Sequence, residues 1–187
     1  MPQIIQLQTV RLKLRQWCPG DRPPFAELNS HLEVMEFFPM PQSRSESDAM
    51  ADKCEILIAE RGWGFWAVEI KATGEFIGFA GLHIPSTILP FSPCVEIGWR
   101  LARPHWGKGY ATEAARAALQ VGFERLALQE IVSFTAVRNH RSRAVMERLH
   151  MVRGEETFDH PDVPEESGLR EHCLYRISRE NWEKNTA

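Results

Sequence analysis

Between Val95 and Met151 the chain carries a strand-like run, Val95-Glu-Ile-Gly-Trp-Arg-Leu101. It continues through Arg103-Pro-His-Trp-Gly-Lys-Gly-Tyr-Ala-Thr112 into an alanine-rich helical stretch, Thr112 to Leu126. No other stretch limits the fold so tightly. Gly107 and Gly109 sit where strand hands over to helix, and glycine reaches backbone angles that other residues avoid. Their N–H groups can therefore turn toward one point. A helix N-terminus adds unpaired N–H groups and a partial positive charge. The sequence predicts an anion seat at this turn, most naturally for phosphate.

The surrounding chain predicts a single domain over residues 1–187, with no repeat or linker to divide it. Thr9 to Trp17 alternates apolar and polar residues, the period of a half-buried strand. Pro23-Pro24 opens a helical stretch through Leu28, and a second, Leu32 to Phe38, stops at Pro39. A helix with a serine cap is expected from Ser43 to Glu60. Phe65–Ile70 and Phe76–Ile84 read as a hairpin, and Cys94–Leu101 as the next strand. Beyond the glycine turn come strand Glu130–Val137, helix Asn139–Leu149 and strand Met151–Thr157. An acidic loop, strand Glu171–Ile177 and a polar tail complete the chain. This order predicts an α/β (α+β) domain with a mixed, twisted sheet of about seven strands flanked by helices.

Charge and cysteine usage narrow the function classes. A net charge of −3 argues against a non-specific nucleic-acid binder. No apolar run approaches the roughly 20 residues that span a bilayer, and the N-terminus lacks the pattern of a signal peptide. Cys18, Cys54, Cys94 and Cys173 are far apart and form no C-x-x-C pair. Buried free thiols in a reducing cytoplasm are the reading that follows. His160, Asp162 and His172 lack a metal-ligand spacing, so no metal is expected.

Three phosphate-binding loops compete for the glycine turn. The pattern G-x-x-x-x-G-K-[ST] is absent. The dinucleotide pattern G-x-G-x-x-G matches only Gly107 and Gly109, with Thr112 at its third position. The third pattern fits along nearly the whole chain. Val95–Leu101, Trp106-Gly-Lys-Gly-Tyr-Ala-Thr-Glu-Ala114, Gly122-Phe-Glu124, Asn139-His-Arg-Ser-Arg-Ala-Val-Met-Glu-Arg-Leu149 and Met151 carry the similarity. Val10–Arg15 and Glu171–Ile177 echo it at the ends. These stretches resemble the GNAT superfamily of acyl-CoA-dependent N-acyltransferases, and within it the RimJ/RimL type that acetylates ribosomal-protein N-termini.

The resemblance implies a bulged strand at Glu96–Leu101 that splays from its neighbour and opens a slot for CoA. It implies that the amides of Trp106, Gly107, Lys108, Gly109, Tyr110 and Ala111, with Thr112 opening the helix, hold the pyrophosphate. Exposed amides at Trp99, Arg100 and Leu101 would pair with the pantetheine arm. Asn139 and Ser142, with Met146 on the same helical face, would approach the thioester end. The sequence departs from the family at three places. Pro104 removes one N–H before the loop. Met146 stands where many members have a tyrosine acid. His150 stands where glycine is usual, and a left-handed residue there suits histidine less well.

The implied reaction is direct transfer of acetyl from acetyl-CoA to a primary amine in a ternary complex. Glu96, on the strand lining the slot, is the base candidate, with His83 second; Ser142 is the candidate donor to the departing thiolate. The acceptor is a protein N-terminus or a small amine, its walls formed by the N-terminal helices and the acidic loop. A membrane or nucleic-acid partner is not expected; a homodimer is an option on family grounds alone. Two other readings stand beside it: a non-catalytic acyl-CoA-binding module, motivated by Met146, and a nucleotide-binding oxidoreductase.

Overall fold

The computed structural model describes residues 2–186. Within them, β1 (Leu7–Gln8), β2 (Leu12–Arg15), β3 (Phe65–Ile70), β4 (Phe76–His83), β5 (Glu96–Leu101), β6 (Glu130–Ala136), β7 (Val152–Asp159) and β8 (Glu171–Ser178) join in one sheet. Its order is β1-β2-β3-β4-β5-β6-β8-β7. Every neighbouring pair is antiparallel except β5 and β6. The helices are α1 (Arg22–Ser30), α2 (Arg44–Arg61), α3 (Tyr110–Gln120), α4 (His140–Arg148) and α5 (Arg179–Thr186).

Helices cover both sheet faces, so strands in the middle read as nearly continuous apolar runs. On one face α1 brings Phe25 against Phe76 and Phe79 of β4, at ring separations of 6.2 and 6.0 Å. On the other lies α3, whose buried side is Ala114, Ala115, Ala118 and Leu119. Gly122, just beyond it, lets the backbone close on the sheet: a Cβ there would stand 2.5 Å from Ile131 Cδ1. α2 begins at the expected serine cap. Ser43 accepts from the Glu46 N–H while the Glu46 carboxylate accepts from the Ser43 N–H, a reciprocal box. It ends at Gly62, at φ 83°.

The sheet has eight strands where about seven were expected. The added one, β1, is two residues long and pairs Leu7 with Leu14. Between β1 and β2 the Thr9 hydroxyl accepts from Leu12 N–H in a tight turn, so the strand expected from Thr9 starts only at Leu12. Leu32–Phe38 is a series of turns, not a helix. Its buried anchors are Val34 and Met35. Pro39 and Pro41 push the residues before them toward extended angles. The helix expected at Thr112–Leu126 starts earlier, at Tyr110, and ends in a π-turn over Val121–Arg125, with Leu126 N–H donating to Val121 O at 3.0 Å. β7 runs on to Asp159, into the expected loop, and the polar tail forms α5. His150 adopts the left-handed turn after all, at φ 59°.

Candidate active site

β5 and β6 touch at one ladder position, Glu96 opposite Val132, and then part. The Ser133 hydroxyl donates to Ile97 O at 2.9 Å, one residue further along, and closes the apex of the wedge. No bulge is needed for this. The β4–β5 register runs unbroken from His83–Glu96 to Gly78–Leu101, so the expected bulge in β5 is absent. Alternation in that antiparallel ladder fixes which amides face the opening. Ala102 N–H donates to Ile77 O, so Arg100 and Gly98 also turn their backbone toward β4. Trp99 and Leu101 turn theirs into the wedge. Arg100, expected to offer an amide there, offers none.

After β5 the chain makes one 3-10 turn at Arg103–His105 and reaches the glycines. Gly107 and Gly109 take φ values of 72° and 81°, which L-residues with side chains seldom adopt. From Gly107 to Thr112, six successive backbone N–H groups donate to no group among the described residues. They meet the N-terminus of α3, and the helix dipole adds to their positive potential. Trp106 is not part of this set: its N–H closes the 3-10 turn onto Arg103 O, and its indole donates to Leu101 O at 2.7 Å. The guanidinium groups of Arg103 and Arg141 lie over the Trp106 ring, 5.1 and 4.8 Å from its centre. Each is paired with an acid of the 31–40 segment, Arg103 with Glu33 and Arg141 with Glu36.

Across the wedge, α4 presents its first turn. Asn139 caps it, accepting from Ser142 N–H at 3.1 Å and donating to the Thr135 hydroxyl at 3.0 Å. The capping task therefore falls to Asn139, and the Ser142 hydroxyl makes no hydrogen bond among the described residues. Met146 is 1% exposed and packs into the core, so it offers nothing to the wedge. Of the site residues expected from sequence, all but His83, Lys108 and Met146 line one cavity of about 1060 Å³. Lys108 belongs to the turn through its backbone: its carbonyl accepts from Arg11 Nη1 at 2.9 Å.

Glu96 stands in the cavity wall at the apex of the wedge. Burial pushes its carboxyl up to about 7, and no hydrogen bond or ion pair among the described residues opposes that. A carboxyl half ionised near neutrality is suited to take a proton and release it again. His83 is stacked on Phe65 with ring centres 5.0 Å apart, and burial pulls it down to about 4. It lies outside the cavity lining. Asp162, His160 and His172 line the far wall, with the Thr87 hydroxyl donating to Asp162. Among the described residues no cluster of His, Cys, Asp and Glu is arranged to hold a metal, and no helix is long and apolar enough to cross a membrane.

Several site residues give no sequence signal. Thr9 and Arg11 come from the β1–β2 turn, yet both bind Glu113 on the first turn of α3. Asn29 of α1 is fully buried and meets Arg100 of β5. Only tertiary folding brings these pairs together, and a single polar residue in a helix or turn looks like ordinary surface.

A sequence profile described as an acetyltransferase (GNAT) domain matches residues 11–152. FsC-acetyl coenzyme A-N(2)-transacetylase of Aspergillus fumigatus is 31% identical over 94% of this chain and 77% of that protein. The uncharacterized protein YkkB of Bacillus subtilis is 40% identical over 78% of this chain and 84% of its own length. In three dimensions the chain is similar to a GNAT-family acetyltransferase from Bacillus anthracis, with a TM-score of 0.77, 24% identity and 94% and 99% of the two chains covered. It is also similar to RimL, a ribosomal alpha-N-protein acetyltransferase solved with coenzyme A, with a TM-score of 0.72, 18% identity and coverage of 95% and 99%. Wedge, glycine turn and sequence relationships agree, and the chain belongs to the GNAT family of acetyl-CoA-dependent acetyltransferases.

Proposed function

We propose that the chain transfers acetyl from acetyl-CoA to a primary amine by direct attack, with Glu96 as general base. The observation that carries this is Glu96 itself, a carboxyl in the cavity wall with no partner among the described residues, whose burial pushes it up to about 7. The six free N–H groups from Gly107 to Thr112 suit the pyrophosphate. Trp99 and Leu101 offer strand-like backbone groups to the pantetheine arm along the open edge of β5. RimL, solved with coenzyme A, shares this fold.

The chemistry asks little of the protein. The amine nitrogen bonds to the acetyl carbonyl carbon and the carbon–sulfur bond breaks. Glu96, directly or through one water, receives the proton that the nitrogen sheds. N–H groups of the open β5 edge stabilise the developing oxyanion. The Ser142 hydroxyl, without a partner among the described residues, donates a hydrogen bond to the departing thiolate, which is itself a good leaving group. Met146, buried in the core, leaves that donor role to Ser142. Acetyl-CoA incubated with an amine panel should release free CoA in the presence of wild-type protein. Glu96→Gln should bind CoA as tightly while losing that release. Absence of turnover with every amine, alongside intact CoA binding, would leave an acyl-CoA-binding module instead.

A further inference from the structure

The wedge has a second chemical feature that acetyl transfer does not use. Arg100 is 9% exposed and lies in the cavity lining, on the sheet face covered by α1 and α2. No carboxylate among the described residues pairs with it. Its Nη1 donates to Asn29 Oδ1 at 2.7 Å and weakly to Met50 Sδ at 3.8 Å. Its Nε is buried without a partner, and Nη2 makes no hydrogen bond among the described residues. Phe38 and Phe79 lie against the guanidinium, 4.2 and 5.5 Å to the ring centres, and offset part of the cost of burying it. The nearby Cys54 thiol is pushed up to about 12 by burial and carries no charge at neutral pH. An uncompensated guanidinium in a cavity wall is costly unless an anion completes it.

The surroundings show that this is a built site. Asn29 is fully buried and is itself held by Ser47, its Nδ2 donating to Ser47 Oγ at 2.9 Å. Ser47 of α2, Asn29 of α1 and Arg100 of β5 thus form a buried polar chain ending at the cavity. Arg100 also shares a strand face with Gly98 and Glu96. Arg100 reaches toward Asn29 of α1 and Met50 of α2, and alternation along the strand turns Trp99 and Leu101 to the opposite face. Between Arg100 and Glu96 the wall is apolar and aromatic, with Phe65 covering Gly98: a Cβ on Gly98 would stand 3.3 Å from the ring.

Resting on the acetyltransferase reading above, we infer that the acceptor is a small primary amine that also carries a carboxylate, with Arg100 binding the carboxylate while the amine faces Glu96. An apolar or planar body between the two groups suits the walls of Val34, Phe38, Phe65 and Phe79. A charged guanidinium N–H makes a strong hydrogen bond to a carboxylate, and here Nη2 is the nitrogen left open to one, with Nε buried beside it.

The test uses matched acceptors: amino acids of increasing amine-to-carboxylate separation, with apolar or aromatic bodies, each beside its carboxamide. Wild type should favour the acid over the amide by about 30-fold in kcat/KM. Arg100→Gln should bring that ratio to about one. Asn29→Asp keeps the shape of the buried chain while placing an internal carboxylate on Arg100; it should also abolish the preference. The second readout is thermal-shift binding of the acids to the CoA-loaded protein, which needs no turnover. Acid binding that Arg100→Gln removes, without transfer to any amine, would sink the acetyltransferase reading and keep the carboxylate site. Turnover of acids and amides at equal rates, or a preference unchanged in both variants, would overturn the carboxylate site and keep the transferase.

Discussion

Arg11 and Glu113 lie 102 residues apart and join at two points: Arg11 Nε meets Glu113 Oε2 at 2.7 Å, and Arg11 N–H meets Glu113 Oε1 at 2.9 Å. The Thr9 hydroxyl donates to the same carboxylate at 2.6 Å. From this anchor Arg11 Nη1 reaches Lys108 O, between the two left-handed glycines, and its guanidinium lies 4.5 Å from the centre of the Tyr110 ring. The β1–β2 turn therefore holds the glycine turn in shape. Burial raises the Glu113 carboxyl, but the bonds from Thr9 and Arg11 prevail and hold it below its ordinary range. Glu113→Ala should raise KM for acetyl-CoA about tenfold with kcat little changed, because it loosens binding in ground and transition states alike. Steady-state kinetics at saturating amine would check this; an equal fall in kcat would place Glu113 in the chemical step.

His150 occupies the left-handed region at φ 59° on the exposed link between α4 and β7. Its N–H donates to Glu147 O and the next N–H to Met146 O, so the conformation is imposed by the helix end. A residue with a Cβ is strained there by roughly 1–2 kcal/mol, and glycine is not. His150→Gly should stabilise the fold by about 1 kcal/mol once its greater freedom in the unfolded chain is subtracted. Urea unfolding would measure it through a raised midpoint at constant slope.

The glycine turn, the strand before it and the helix after it are legible because their geometry depends on local residue types. Glycine at 107 and 109, an alanine face on α3 and the Asn139 cap each act within a few residues of themselves. The serine-capped α2 is legible for the same reason. What sequence hides is long-range or alternates in ways a strand does not announce. Trp99 and Leu101 face the wedge while Arg100 does not, and that parity is set by the register with β4. Met146 fits the helical face shared with Asn139 and Ser142, yet the helix rolls that part of the face into the core. Leu32–Phe38 is rich in helix-compatible apolar residues, but its ion pairs to Arg103 and Arg141 and two prolines hold it as a strap across the cavity.

Gly78 meets Leu101 across the β4–β5 ladder at φ 134°. A Cβ there would stand 2.1 Å from Arg100 O and 2.9 Å from Leu101 Cα, both backbone atoms that cannot swing aside. Gly78→Ala must therefore push β4 off β5 where the wedge opens. The expected cost is about 3 kcal/mol or more, enough to lower soluble yield sharply. Calorimetry of whatever folded protein survives would read the loss; a melting temperature near wild type would show that the β4–β5 ladder yields more easily than this packing implies.

Glu96 links activity and stability through one proton. Its carboxyl sits near 7 in the fold, against an ordinary 4.5, because burial penalises the charge. Between those values the folded protein holds a proton that the unfolded chain releases, so this group's contribution falls as pH rises through the window. Above 7 the native state carries a poorly solvated carboxylate, and catalysis by the base needs that form. Glu96→Gln should therefore melt higher than wild type at pH 8, with the gap closing toward pH 4.5, while kcat/KM falls about 10²- to 10⁴-fold. The pH profile gives a second, independent readout. The neutral fraction of an ordinary amine rises with pH throughout, so log kcat/KM for wild type should climb with a slope of about two below 7 and about one above it. Glu96→Gln should show the single slope across the range. A wild-type profile without the bend, or a variant that melts lower at pH 8, would mean that Glu96 props the wedge instead of taking the proton.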